Sequence, residues 1–148
     1  MRSSIVNLSG LVLAIIGIVT PPTADAFVGI VKTVAGDAVI ERGGKTITVD
    51  TGMEIQQADV VKTGRQGAVG LVFSDDTRIS MGPNSEIAVD DYLFEPLEDK
   101  LSFVLRLIRG TVSFLSGQMT KLSPESVQLV MPAATIGVRG THLLIKVE

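Results

Sequence analysis

The sequence predicts an all-β fold, either an irregular β-solenoid-like form or a curled β-sandwich, built of short strands and hairpins. Three observations lead to this fold class. Apolar and polar residues alternate at a period of two in run after run, whereas the period of 3.6 residues that marks an amphipathic helix does not recur. Glycines fall mostly at the ends of these runs, where they indicate turns. No fixed repeat period is present, so a solenoid with equal coils is not expected.

Residues 1–26 have the features of a cleaved signal peptide. A short positive start precedes an apolar stretch at residues 11–19, a Pro-Pro pair follows, and the small residues Ala24 and Ala26 precede a predicted cut at Phe27. The alternative is a membrane anchor, but a spanning helix needs about 20 predominantly apolar residues. The apolar stretch is shorter than this even when it is counted generously. We therefore expect a periplasmic product without a transmembrane helix.

The remainder, residues 27–148, is expected to form a single domain with one modest core. Removal of the signal takes away one charge of each sign, so the net charge stays at −3. Such a surface gives phosphate backbones no electrostatic reason to bind, which argues against nucleic acid as a partner. The chain has no cysteine, which excludes disulfides, thiol catalysis and thiolate metal sites.

Two tight hairpins are predicted early in this domain. Strands around Ile40 and Ile47 are joined by a Gly-Gly pair, which supplies the positive φ values that a two-residue turn requires. A second alternating run ends at Phe73, meets an acidic turn at residues 74–77, and resumes at Ile79.

Later runs follow the same pattern. Strands are predicted around residues 87–89, 112–114, 127–131, 136–138 and 143–147. Residues 100–108 fit either a strand or two turns of helix, and the strands on both sides favour a strand. If the last strand lies at a sheet edge, its backbone groups are unpaired on one side. That edge would allow association with a strand of a partner, or homo-oligomer formation.

Three stretches carry a family resemblance. They are Asp-Val-Val-Lys-Thr-Gly at residues 59–64, the turn-containing segment 71–85, and the most specific one, Met-Pro-Ala-Ala-Thr-Ile-Gly-Val-Arg-Gly-Thr at residues 131–141. Together they resemble the FecR-domain family, the β-rich periplasmic domain of iron-dicitrate-type signalling regulators and of many exported bacterial proteins. The resemblance spans residues 29–147 and implies a β-rich periplasmic fold.

The sequence departs from the family pattern in two ways. The second hairpin turn, usually Asp-Gly, is Asp75-Asp76, and because Asp tolerates a left-handed conformation less well than Gly, a different turn type is expected. Regulatory members also carry a cytoplasmic anti-sigma segment and a membrane helix ahead of the domain. This sequence has neither, so the transmembrane regulator role is not expected of it.

Few residues suggest catalysis or metal binding. His142 is the only histidine and has no cysteine or second histidine beside which it could hold a metal, so we expect a strand-edge side chain. Asp75-Asp76 and Asp90-Asp91 are paired carboxylates. Because neighbouring residues on a strand point to opposite faces, turn or solvent-facing roles are expected rather than a calcium site.

The third family stretch supplies the main structural or partner-contact candidates. Gly137 and Gly140 would allow a close backbone approach or a bulge. Arg139 lies between them and is expected to act as a latch that pairs with a carboxylate on a neighbouring strand. Thr141 completes the motif. Asp75 and Asp76 join these four residues as candidates.

The expected function is that of an exported, non-enzymatic FecR-type module that works by binding another periplasmic or membrane protein, as a signalling accessory. No cofactor and no metal is expected. The alternative is a small-ligand or glycan binder of the envelope. Against it, only 4% of the residues are aromatic and none is Trp, which leaves little surface on which a sugar could stack.

Overall fold

A computed structural model describes residues 17–18, 27–140 and 142–148. The predicted signal peptide lies almost wholly outside these residues, and Thr141 also lies outside them. None of the helices in the described part of the chain has the length and apolar character that crossing a membrane requires.

The all-β prediction is confirmed, because strands dominate and twelve of them form one sheet that curls into a half-barrel. The strands are β1 (Phe27–Ala35), β2 (Ala38–Arg42), β3 (Lys45–Thr48), β4 (Glu54–Gln56), β5 (Val60–Thr63), β6 (Ala68–Phe73), β7 (Arg78–Met81), β8 (Glu86–Glu95), β9 (Lys100–Leu115), β10 (Val127–Met131), β11 (Ala134–Gly137) and β12 (His142–Val147). A short helix, α1 (Gln118–Leu122), and two 3₁₀ turns, Pro96–Glu98 and Pro124–Ser126, complete the described elements.

Both predicted hairpins are present. Strands β2 and β3 pair in register around a turn in which Gly43 and Gly44 have φ values of 56° and 76°, the positive values that a type I′ turn needs. Strands β6 and β7 pair antiparallel on either side of the acidic turn. The other runs identified as strands also lie in strands, although β11 ends at Gly137.

Strand β9 is shared by the two halves of the curled sheet. Its first part pairs antiparallel with β8, and residues 103–106 also pair parallel with β10. Its last part pairs with β12 over residues 110–115 on one side, and with β7 over residues 112–115 on the other. The strand predicted for residues 100–108 is confirmed, and it continues to Leu115.

A bulge near the middle of β9 turns its apolar face. The register with β8 slips by one residue at Ile108, because Arg109 lies opposite Glu86 whereas Leu107 lies opposite Ile87. Before the bulge the odd-numbered residues Phe103, Leu105 and Leu107 are buried, and after it the even-numbered Val112 and Phe114 are buried. The bulge therefore keeps one core continuous while β9 passes from one half of the sheet to the other.

Gly110 follows the bulge and has a φ of 96°, a conformation that favours glycine. Ser85 fills the space beside it: the Ser85 Oγ accepts a hydrogen bond from the Thr111 backbone N–H at 3.0 Å. The chain can approach this closely only because Gly110 has no side chain.

The core is one apolar cluster that receives side chains from both halves. Its rings are Phe73, Tyr92, Phe103 and Phe114. Phe103 contacts the other three edge to face or nearly so, with ring centroids 4.9 to 6.2 Å apart.

Candidate functional site

The acidic turn between β6 and β7 adopts a three-residue hairpin loop. The Asp76 backbone N–H donates to the Phe73 carbonyl at 3.0 Å, and Asp76 itself has a φ of 68°. Asp76 takes the left-handed conformation itself, and its exposed carboxylate accepts a 2.8 Å hydrogen bond from the Gln118 side chain.

Asp75 lies in this turn, which is one of the two roles expected for it, and its side chain is completely buried rather than solvent-facing. Its carboxylate accepts four hydrogen bonds. Two come from Thr77, from the hydroxyl at 2.7 Å and the backbone N–H at 3.2 Å, one comes from the Tyr92 hydroxyl at 3.1 Å, and one from the Met119 backbone N–H at 3.2 Å. Asp75 thus joins the turn to β8 and to α1, which is an architectural role.

Tyr92 responds to this environment, because burial first and the Asp75 charge second raise the pKa of its phenol far above the ordinary value of 10.0. A raised pKa in the folded state gives stability that is present below pH 10 and is lost as the pH rises further, because only the unfolded chain then releases the proton.

Tyr92 is the only tyrosine. We expect tyrosinate absorbance to appear above pH 10 only in step with unfolding, as followed by circular dichroism in the same titration. Ionisation of the folded protein near pH 10 would contradict this.

A second buried carboxylate, Asp59, pairs with Arg42. The guanidinium donates to both carboxylate oxygens, at 2.8 and 2.7 Å, and the Gln56 backbone N–H adds a third bond at 2.9 Å. This pair, which sequence reasoning missed, fixes the turn before β5 against the β2–β3 hairpin. Two open depressions of about 410 and 340 Å³ lie beside it and share Gly43 and Ala58 in their lining.

Both glycines of the candidate segment are exposed, whereas Val138 between them is buried in the core. A side chain at Gly137 would meet nothing within 4 Å, and the same holds for Gly140, so neither glycine serves a close backbone approach. Gly140 has a φ of 144°, and its carbonyl accepts a 2.6 Å hydrogen bond from the Ser116 hydroxyl. This bond holds the segment before β12 against the end of β9.

Arg139 is exposed, and no carboxylate of the described residues lies within 4.0 Å of it, so the ion pair that a latch requires is not formed with any of them. Its charge acts at longer range on Glu125. Hydrogen bonds from the Glu125 backbone N–H and from the Ser123 hydroxyl lower the pKa of the Glu125 carboxyl, and Arg139 lowers it further. Both residues line a depression of about 220 Å³ with Val138.

His142 lies on the outer face of β12, and its Nε2 is 2.8 Å from the Ser113 Oγ on β9. Sequence reasoning missed this partner because the two residues are 29 positions apart. A serine nucleophile also needs an oriented base, and no described carboxylate makes a hydrogen bond with His142. The pair is exposed and connects β12 to β9.

The other paired carboxylates do not assemble a metal site. Asp90 forms an exposed ion pair with Arg106 at 3.0 Å, and Asp91 accepts a hydrogen bond from Ser102. Within the described ranges, no group of three or more histidine or acidic side chains is placed to hold a metal ion.

Exposed apolar side chains collect at the far end of the β8–β9 hairpin, which we call the hairpin tip (residues 93–99). Leu97, in the 3₁₀ turn, is 102% exposed, and Leu93 is 38% exposed. Leu93 lines a depression with Phe27, which is itself 48% exposed. Acidic residues flank Leu97 on both sides: Glu95, Glu98 and Asp99.

The family model described as FecR protein matches residues 59–148. The chain belongs to the FecR family. FecR proteins form a regulatory and signalling family associated with the cell envelope. Comparison with curated proteins and with solved structures found no match.

The FecR match covers all three stretches that carried the resemblance, and the structure gives two of them an architectural role. Residues 59–64 begin with the buried Asp59, and residues 71–85 contain the buried Asp75. The third stretch contains β11, and in its described part, residues 131–140, most side chains are exposed while Val138 is buried in the core.

Proposed function

We propose that this FecR chain is an exported, non-enzymatic module that binds another protein of the periplasm or membrane and acts as an accessory in envelope signalling. In this proposal residues 1–26 are removed on export and residues 27–148 form the working domain. The observation that carries it is the hairpin tip, where a fully exposed leucine lies between acidic side chains.

Burial of a leucine side chain gains about 1.5–3 kcal/mol, so Leu97 and its apolar neighbours offer a compact source of binding energy. A single exposed leucine is ordinary, but Leu93, Phe27 and Leu97 lie on neighbouring parts of one surface. The flanking acids favour a partner whose apolar pocket has a rim of Lys or Arg side chains. They also disfavour an anionic lipid surface.

A non-enzymatic role is supported by the exposed Ser113–His142 pair, which lacks an orienting carboxylate among the described residues. Glycan binding, the alternative, receives less support because four of the six aromatic side chains, Phe73, Tyr92, Phe103 and Phe114, are buried against each other in the core. A thermal-shift screen in which one glycan or metal chelate raises the melting temperature would favour that alternative.

The proposal is tested by photo-crosslinking in the native host. A photoreactive amino acid is placed at Leu93, and the Leu97→Asp change is added to half of the samples. We expect one specific adduct with an envelope protein, reduced at least about tenfold by Leu97→Asp, because the substitution places a charge where the partner needs apolar contact.

The matched control is Leu122→Asp, which changes a leucine that is 59% exposed on α1. This control should leave the adduct unchanged. Loss of the adduct in both variants, or no adduct from folded protein, would contradict binding through the hairpin tip.

A further inference from the structure

Strand β12 has a free edge. It pairs with β9 over all six of its residues, with no slip in register, and with no other strand of the described chain. The other strands that end the sheet are shorter, with four residues in β3, three in β4 and four in β11. Proteins usually protect a long edge with a lysine, a proline, a bulge or a covering element, and of these β12 has Lys146 but no proline and no bulge.

The two faces of β12 differ. Leu143, Ile145 and Val147 point inward, pack against the core and stay half-buried. The outer face carries Leu144, which is 74% exposed, between His142 and Lys146. The Lys146 ammonium already has an ion-pair partner, since it lies 3.1 Å from the Glu148 carboxylate.

We propose that two copies of this chain associate through β12, with the two strands antiparallel about a two-fold axis and Leu144 opposite Leu144 of the second copy. In an antiparallel pair, opposed residues lie on the same face. The arrangement therefore places Leu143 opposite Ile145 on the inner face, which extends the apolar row of one core into that of the other. It requires only that one edge be complementary to itself.

The exposure of Leu144 favours this register over its neighbours. The opposed outer pair beside the two leucines is His142 with Lys146, and Glu148 already balances the lysine charge. A shift by two residues would place Leu144 opposite Lys146 or His142, which leaves the most exposed apolar side chain of the strand without an apolar partner. The inference depends on the β12 edge alone and is independent of binding at the hairpin tip.

The absence of native cysteine makes disulfide trapping a direct test. The full-length gene product, as processed by the expressing cells, carries Leu144→Cys and is oxidised mildly. Directly opposed residues have Cβ atoms close enough for a disulfide, whereas Cα atoms more than about 7 Å apart do not cross-link without backbone movement. We expect a covalent dimer, formed about tenfold more than with Ala68→Cys, an exposed position on β6, which is paired on both sides.

Ile145→Cys reports the register, because this residue faces Leu143 of the second copy and should not cross-link with itself. A strong Ile145→Cys dimer with a weak Leu144→Cys dimer would overturn the proposed register.

The molar mass in solution, measured by light scattering, is expected to be twice the monomer mass for the unmodified protein and equal to the monomer mass for Leu144→Asp. A monomer at all concentrations, or a dimer that persists in Leu144→Asp, would overturn the proposal. Leu122→Asp is the matched control for added charge and should leave the dimer intact.

Discussion

Replacement of Gly110 by alanine is expected to lower the free energy of unfolding by about 4 kcal/mol. Strain from a non-glycine residue at positive φ costs about 1–3 kcal/mol, and an overpacked contact costs about 1–3 kcal/mol more. Both apply, because Gly110 has a φ of 96° and an added methyl group would overlap the Oγ and the backbone Cα of Ser85 and lie 2.6 Å from its Cβ. Urea unfolding followed by circular dichroism measures the loss.

Gly137→Ala is the matched control, since Gly137 is exposed and an added methyl group would meet nothing within 4 Å. We expect its effect to stay within about 0.5 kcal/mol. Equal losses in the two variants would contradict a special role for Gly110. Failure of Gly110→Ala alone to accumulate as folded protein would agree with the expectation, because the overlap includes the backbone Cα of Ser85 and no side-chain change at Ser85 can relieve it.

Asp75→Ala is expected to cost about 3–5 kcal/mol. The substitution removes a buried carboxylate and leaves its donors, the Tyr92 hydroxyl, the Thr77 hydroxyl and the Met119 backbone N–H among them, without their partner. Each hydrogen bond to a charged group contributes about 1.5–3 kcal/mol, and the contributions of one network are not additive. The same urea experiment applies.

The neighbouring substitution Asp76→Gly serves as the control. Glycine loses the exposed hydrogen bond from Gln118 but adopts the left-handed conformation without strain, so the net change is expected to stay within about 1 kcal/mol. If Asp75→Ala were as mild as Asp76→Gly, the buried network would not be a main source of stability.

The sequence predicts the hairpins well because their signals are local. The Gly-Gly pair and the acidic turn each lie between alternating runs, and short-range turn chemistry determines how such runs pair.

The ambiguity at residues 100–108 has a physical cause. The bulge at Ile108 interrupts the period of two, so the doublet Leu107-Ile108 fits a helix as well as a strand.

The candidate site is less predictable because its contacts are distant in sequence. Asp75 looks like an ordinary turn residue until Met119, 44 positions later, supplies a donor that keeps it buried. Ser113 reaches His142 only because β9 and β12 are neighbours in the sheet. The exposure of Leu97 likewise depends on how far the β8–β9 hairpin extends beyond the rest of the sheet. The sequence pattern around Leu97 does not indicate this extension.

The position of β9 has a consequence for how the protein is made. A growing chain that has emerged as far as residue 99 contains β1–β8 but not the strand on which both halves of the sheet converge. Its two partial sheets have no common strand to hold them together, and their apolar faces have no completed core to enter. Formation of the complete sheet is therefore delayed until the last third of the chain is present.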